Sequence, residues 1–213
     1  MTEFPVSARG LELIRCSTRA ELSSARQFRN GVFIAKRGIE LDSVQERRRD
    51  ESSHVLLLKQ HGMPRATGRV QSYPATGTLA EIAPELPDFG ADSEIGRVAA
   101  IRSADSVAYS LLLLVLGAMW MLMHTQHRRY IAYCHPKLFP LYELVGARDT
   151  GMSIEVMGRS HPYCVLLGAY ANCVEAGLAQ LRHTGFSEQE AVAAVRGNYG
   201  NFWDQQCVTE SAS

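Results

Sequence analysis

The apolar and polar positions of this chain mark out short alternating stretches separated by longer stretches of helical period. Leu11–Arg15 alternates and predicts a strand. Thr18 and Glu21 have capping-box spacing, and Leu22, Ala25, Phe28 and Val32 follow at helical intervals, so an amphipathic helix starts there and closes near Gly38. A charged, weakly patterned stretch runs through Glu51. His54–Gln60 and residues 67–73 predict two strands flanking His61-Gly62-Met63-Pro64, which suits a hairpin turn. Residues 74–92 show no clear period and predict a loop with at most a short helix.

Residues 94–101 predict a buried strand, 106–126 a long helix and 130–133 the next strand. That is a β-α-β unit, so its two strands should be parallel neighbours. Leu138, Leu141, Tyr142 and Val145 give residues 135–146 a short helical pattern ended by glycine. Residues 154–157 and 164–167 predict further strands, and 171–183 and 187–199 two closing helices, the last capped by Ser187 with Glu190. The reading is a single α/β domain, a central mixed sheet flanked by helices with a C-terminal helical extension.

At 213 residues the chain can bury one full core. Lys plus Arg is 22 and Asp plus Glu is 22, so no global field attracts nucleic acid or an anionic membrane. Charge is locally uneven, because Arg26, Arg29, Lys36, Arg37, Arg47, Arg48 and Arg49 crowd the first quarter. The 5 cysteines are scattered, with no C-x-x-C, and no histidine stands at ligand spacing, so a reducing cytoplasm and no metal are expected. The N-terminal residues lack the pattern of a signal peptide. Residues 111–123 are strongly apolar but fall short of the roughly 20 needed to span a bilayer, which predicts a buried helix.

Glu94 and Arg97 stand out, since formal charges among Ile95, Val98, Ala99 and Ala100 are costly unless they pair or serve chemistry. Two readings stay open. In one they form a buried ion pair that fixes packing. In the other the carboxylate is a general base and the arginine holds a substrate carboxylate. Cys134-His135 offers a third chemistry, a thiolate nucleophile, but neighbours on a strand point opposite ways, so direct transfer is preferred.

Four separated pieces carry a family resemblance. Phe28-Arg29-Asn30-Gly31-Val32-Phe33, Asp50 four residues before the His54 strand, Gly68-Arg69-Val70, and Glu94-Ile95-Gly96-Arg97-Val98-Ala99 resemble, in order and spacing, the motifs of the acyl-homoserine lactone synthases. Those enzymes share the fold of the GNAT N-acetyltransferases. Ile39 and Arg47-Arg48-Arg49 depart from the lactone-synthase pattern at features that serve S-adenosylmethionine. Asp50, Ser52, Ser53 and His54 before an aliphatic strand are more similar to the long-chain N-acyl amino acid synthases, which join a fatty acyl group to a free amino acid.

The resemblance implies a GNAT-like acyltransferase fold and transfer of a fatty acyl group to an α-amine, with tyrosine as the amino acid. It implies Glu94 as the catalytic base and Arg29, Phe33, Asp50, Arg69, Arg97, Val98, Ala99 and Ile101 around the substrate. On the long apolar helix, Leu116, Met119 and Trp120 are candidates to line the acyl tail. Residues 102–107 lack the glycines of a diphosphate-binding loop and include Asp105, which favours acyl carrier protein over coenzyme A as the donor co-substrate, with no bound cofactor. Lys36, Arg37, Arg47, Arg48 and Arg49 would then dock the acidic carrier. A lactone synthase using S-adenosylmethionine and a non-catalytic acyl-carrier-binding module are the alternatives.

Overall fold

The computed structural model describes residues 10–101, 109–156 and 160–196. Strands β1 (Leu11–Arg15), β2 (His54–Gln60), β3 (Met63–Ser72), β4 (Ser93–Ala100), β5 (Arg129–Cys134), β6 (Arg148–Ile154) and β7 (Tyr163–Ala169) form one sheet in the order β1-β2-β3-β4-β5-β7-β6. Every neighbouring pair is antiparallel except β4 and β5, the expected parallel pair. The helices are α1 (Arg19–Arg37), α2 (Val44–Glu51), α3 (Thr78–Ile82), α4 (Tyr109–His124), α5 (Phe139–Glu143), α6 (Tyr170–Arg182) and α7 (Glu188–Arg196).

Local chemistry sets several boundaries. Thr18 and Glu21 form the reciprocal capping box, and Gly38 ends α1 in the left-handed region that favours glycine. His61 and Gly62 both take positive φ, 50° and 77°, which is the two-residue turn whose twist suits a hairpin. The turn is therefore shorter than expected, and Met63 and Pro64 already belong to β3. Pro64 is accommodated because the register slips beside it, where Leu58 pairs with Ala66 and Lys59 with Pro64.

The sheet buries its two faces differently. On one face Leu13, Leu56, Leu58, Ala66, Val70, Tyr130 and Ala132 meet α4, α6 and α7 in the main core. Helix α4 is apolar nearly all round because the sheet covers one side of it and α6 another. On the opposite face two smaller apolar clusters sit apart. One joins Ile14, Val55 and Leu57 to Ala25 of α1, and the other joins Leu79 to Ile131 and Val165. The polar side chains of β3 and β4 face the gap between those clusters.

Two sequence expectations need correction. The charged stretch before Glu51 contains the helix α2, capped by Ser43. The strand placed at 154–157 lies earlier, at Arg148–Ile154, where it is an edge strand with most side chains exposed or half-exposed; Met157 is outside the described residues. The final helix is described as far as Arg196. Among the described residues no helix is long and apolar enough to cross a membrane.

Candidate active site

A bulge in β4 organises the site. Thr67 pairs with Ala99 and Arg69 with Gly96, so β4 spends one more residue than β3 over the same span. Arg97 sits in that bulge with φ 56°, a conformation that non-glycine residues seldom adopt. In a regular strand residues 94 and 97 would face opposite ways. Here the bulge turns Ile95 and Val98 together toward the α4 core, leaving Glu94 and Arg97 on the α1 and α2 face.

On that face lies a charge network in which Arg29, Arg69 and Asp50 are closed to solvent while Arg97 and Arg49 reach its partly open edge. Arg29 Nη1 and Nη2 donate to the two oxygens of Asp50 at 3.0 and 2.6 Å. Arg69 Nη1 donates to Glu46 Oε2 at 2.9 Å and to Asp50 Oδ1 at 3.2 Å. Arg97 grips Glu46 with two bonds, Nε to Oε2 at 3.1 Å and Nη2 to Oε1 at 2.7 Å. Arg49 also reaches Glu46, at 3.2 Å, and bonds Glu81 with its other nitrogen. Glu46 and Asp50 are one turn apart on α2, which puts both carboxylates on its inner face. Burial alone would raise the Glu46 carboxyl, but Arg97, Arg69 and Arg29 hold it down at about 2.

Glu94 differs from these paired groups. It is 1% exposed, and Oε2 accepts the Leu79 backbone N–H at 2.7 Å, one of the first-turn amides of α3 that have no partner within the helix. Among the described residues Oε1 accepts no hydrogen bond. Burial pushes the carboxyl up to about 7, against the pull of the Leu79 N–H and of Arg69, Arg97 and Arg49. Gly77 makes this approach possible, since a Cβ there would lie 2.6 Å from Glu94 Oε2 and 2.9 Å from Tyr73 Cδ2.

Beside Glu94 the sheet opens. Strands β4 and β5 pair only from Ser93↔Tyr130 to Ile95↔Ala132, although β4 continues to Ala100 and β5 to Cys134. Arg97 stands on one side of the resulting wedge and Tyr133 on the other, and their side chains interact across it. A reacting group entering there would meet a carboxyl raised to about 7, a guanidinium and a phenol.

The structure thus gathers Glu94 and Arg97 of β4, Arg29 of α1, Asp50 of α2 and Arg69 of β3 from four separate elements. Ala99 is buried, and Val98 packs on the α4 side, where its Cγ2 stands 3.6 Å from where a Cβ on Gly68 would lie. Ile101 also packs against the α4 core, and Phe33 is half-buried on α1. A small apolar void of about 20 Å³ between the sheet and α4 is lined by Leu56, Gly68, Val98, Leu113, Gly117 and Met121, among others. Leu116, Met119 and Trp120 are not in its lining, and the Trp120 ring instead lies 5.3 Å from His54 and 5.0 Å from His124.

The basic residues are divided. Arg49 points into the network, Arg47 pairs with Asp42 at 2.8 and 3.0 Å, Lys36 Nζ donates to Ala100 O at 2.6 Å, and Arg48 is exposed. The Arg37 side chain and residues 102–107 are outside what is described. Cys134 faces the α4 core while the His135 ring lies 6.0 Å from Tyr163 on the other face, so they do not form a thiolate–imidazole pair. Sequence reasoning missed Glu46, the acceptor shared by three arginines. Its four-residue spacing from Asp50 was the available signal.

No family profile matches the chain, and no curated protein matches it. Solved structures do. FeeM, an N-acyl amino acid synthase from uncultured soil microbes, has a TM-score of 0.61 at 16% identity, covering 80% of this chain and 96% of its own. BjaI, a CoA-dependent acyl-homoserine lactone synthase, has a TM-score of 0.60 at 15% identity, covering 86% and 97%. A protein from Lactobacillus plantarum assigned as an N-acetyltransferase has a TM-score of 0.56 at 19% identity, covering 75% and 98%. With its seven-stranded mixed sheet flanked by helices, the chain has the fold of the GNAT-like acyltransferases.

Proposed function

We propose that this chain is an N-acyltransferase that moves a long-chain fatty acyl group from acyl carrier protein to the α-amine of a free amino acid, tyrosine foremost, with Glu94 as general base. The observation that carries the reading is Glu94 itself, a buried carboxyl raised to about 7, with one oxygen fixed by Leu79 and the other turned to no protein donor among the described residues. A base of that strength accepts a proton at neutral pH from an amine as it attacks. The amine nitrogen bonds to the thioester carbonyl carbon, its proton passes to Glu94, and the C–S bond breaks. The thiol of the carrier's arm then leaves with a proton.

The charge balance supports an anionic acceptor. Apart from Glu94, the guanidiniums of Arg29, Arg49, Arg69 and Arg97 face the carboxylates of Glu46, Asp50 and the half-exposed Glu81, an excess of one cation. The carboxylate of an amino acid neutralises it. Arg97, with its side chain 21% exposed against 1% for Arg29 and Arg69, is the guanidinium that such a carboxylate can reach. Arg29, Asp50, Glu46 and Arg69 then form the frame that holds Arg97. An acyl tail between β3, β4 and α4 would need more room than the void of about 20 Å³ found there, so this path requires α4 to shift outward. Tyrosine and the carrier protein rest on the sequence resemblance.

Mass spectrometry of lipids from cells expressing the chain tests the reading. N-acyl tyrosines with chains of about 12 to 16 carbons are expected, a range that comes from the sequence resemblance and from the size of ligand pockets in general. Acyl-homoserine lactones, or no acylated amine, would contradict it. The likeness to BjaI over 86% of the chain keeps a lactone synthase as the second reading, which release of methylthioadenosine from S-adenosylmethionine would reveal.

A further inference from the structure

Near the foot of α4 the buried atoms Arg15 Nε, His54 Nδ1 and Trp120 Nε1 have no hydrogen-bond partner among the described residues. They belong to one cluster, on the face of the sheet opposite Glu94. Arg15 pairs in register with Leu56, and His54 is two residues from Leu56, so both project on the α4 side as Leu13 and Leu56 do. The His54 ring lies 5.3 Å from Trp120 and 6.4 Å from His127, and His127 Nδ1 is 3.4 Å from Asp92 Oδ1. His124 stacks on Trp120 at 5.0 Å. Trp120 is only 4% exposed, so its N–H is shut away from bulk solvent.

The chemistry of these atoms is one-sided. An arginine Nε and an indole Nε1 only donate, and His54 Nδ1 donates in one tautomer and in the imidazolium. Arg15 has no ion-pair partner among the described residues. The charged or titratable groups around His54 are Arg15 from β1, His124 from α4, and His127 with Asp92 from the segments before β5 and β4. Asp92 is the carboxylate of that set, and it is turned to His127. Arg15 Nε and Trp120 Nε1 are thus buried donors beside a positive charge, with His54 Nδ1 an acceptor only in its other neutral tautomer, and a donor left unpaired costs about 1–3 kcal/mol.

We infer that the cluster of Arg15, His54 and Trp120 binds a small oxyanion, a phosphate or carboxylate group. The bound oxygens accept from the guanidinium, the indole N–H and the imidazole and neutralise the Arg15 charge. Burial, Arg15 and His127 lower the proton affinity of His54 in the unliganded cluster. A bound anion reverses the last two effects, so binding takes up a proton and strengthens as pH falls. The inference does not depend on the acyltransferase reading.

The test uses the full chain with Trp203→Phe, which leaves Trp120 as its one tryptophan. Inorganic phosphate and acetate are titrated separately at constant ionic strength, with chloride as control, while Trp120 fluorescence is followed. The site predicts a saturable change that tightens roughly tenfold between about pH 8 and about pH 6, and that weakens at least about tenfold in Arg15→Met and His54→Phe. Arg15→Lys serves if the methionine variant does not fold. Saturation by phosphate alone identifies a tetrahedral anion, and saturation by acetate as well admits carboxylates. No saturable change with either anion, or an undiminished response in the Arg15 variant, would overturn the assignment and leave ordered water as the partner of these donors.

Discussion

Arg97 stands on the same face of β4 as Glu94, three residues away, because the bulge at Arg97 adds a residue opposite β3. That relationship turns two charges that a regular strand would separate into parts of one site. It also commits Arg97 to Glu46 on α2, so ion pairs anchor a helix that has almost no apolar surface.

Gly77 lies where any side chain would press on the base. A methyl at this position would press on Glu94 Oε2 from 2.6 Å, while the φ of −68° is one that alanine accepts. Gly77→Ala should fold, yet displace the carboxyl and lower kcat roughly tenfold, the scale of a lost oriented contact. Circular dichroism and steady-state rates on the same preparation check this. A variant with unchanged kcat would show that the position of Glu94 does not matter.

The Arg29–Asp50 pair should be costly to break from one side. Asp50→Asn or Arg29→Met leaves an uncompensated buried charge and is expected to lose about 3–5 kcal/mol in urea unfolding. The joint replacement Arg29→Met with Asp50→Leu should recover part of that loss. If each single change costs under about 1 kcal/mol, the network is not stabilising the frame around Arg97.

Two carboxyls with opposite shifts give opposite pH dependences. Glu46, held at about 2, contributes stability that is present above the ordinary glutamate value of 4.5 and is lost as pH falls toward about 2. Glu94, raised to about 7, is protonated in the fold, so its contribution is complete below 4.5 and is lost as pH rises through about 7. Urea midpoints between about pH 5 and about pH 8 should therefore fall more in the parent chain than in Glu94→Gln, by on the order of 2 kcal/mol. An identical fall in both would remove Glu94 as the source. The kcat should rise with pH through the same range, as the base ionises.

Acyl-chain length should be set under α4. Filling the void with Gly68→Ala or Ala118→Leu is expected to shift products toward shorter chains, read as the chain-length distribution by mass spectrometry. Leu116→Ala, outside the lining, should leave that distribution unchanged. An equal shift in all three would move the acyl path elsewhere.

Much of this architecture was legible in the sequence. The alternation of Leu11–Arg15 and His54–Gln60 gave strand limits that coincide with the structure, and the Thr18–Glu21 spacing gave the start of α1. Periodicity could not find α2, because its buried face is made of Glu46 and Asp50 and no apolar stripe marks it. Strand β6 was misplaced for a related reason: an exposed edge strand such as Arg148–Ile154 carries little alternation. The void-facing side of α4 was hidden by excess, since a helix apolar nearly all round does not declare which face meets the sheet. That is why Leu116, Met119 and Trp120 stood as lining candidates while the structure brings Leu113, Gly117 and Met121 to the void. The charges were more informative than the apolar residues, because Glu94, Arg97, Arg69, Arg29 and Asp50 stood out against their neighbours.

The central claim is that Glu94 accepts the proton of an attacking amine. Single-turnover transfer from an acyl-carrier-protein thioester to tyrosine, followed by mass spectrometry at saturating tyrosine, compares the parent chain with the near-isosteric Glu94→Gln. The account predicts a loss of roughly 10²-fold or more in rate with the fold retained and tyrosine binding little changed. Transfer by the glutamine variant at close to the parent rate would contradict it.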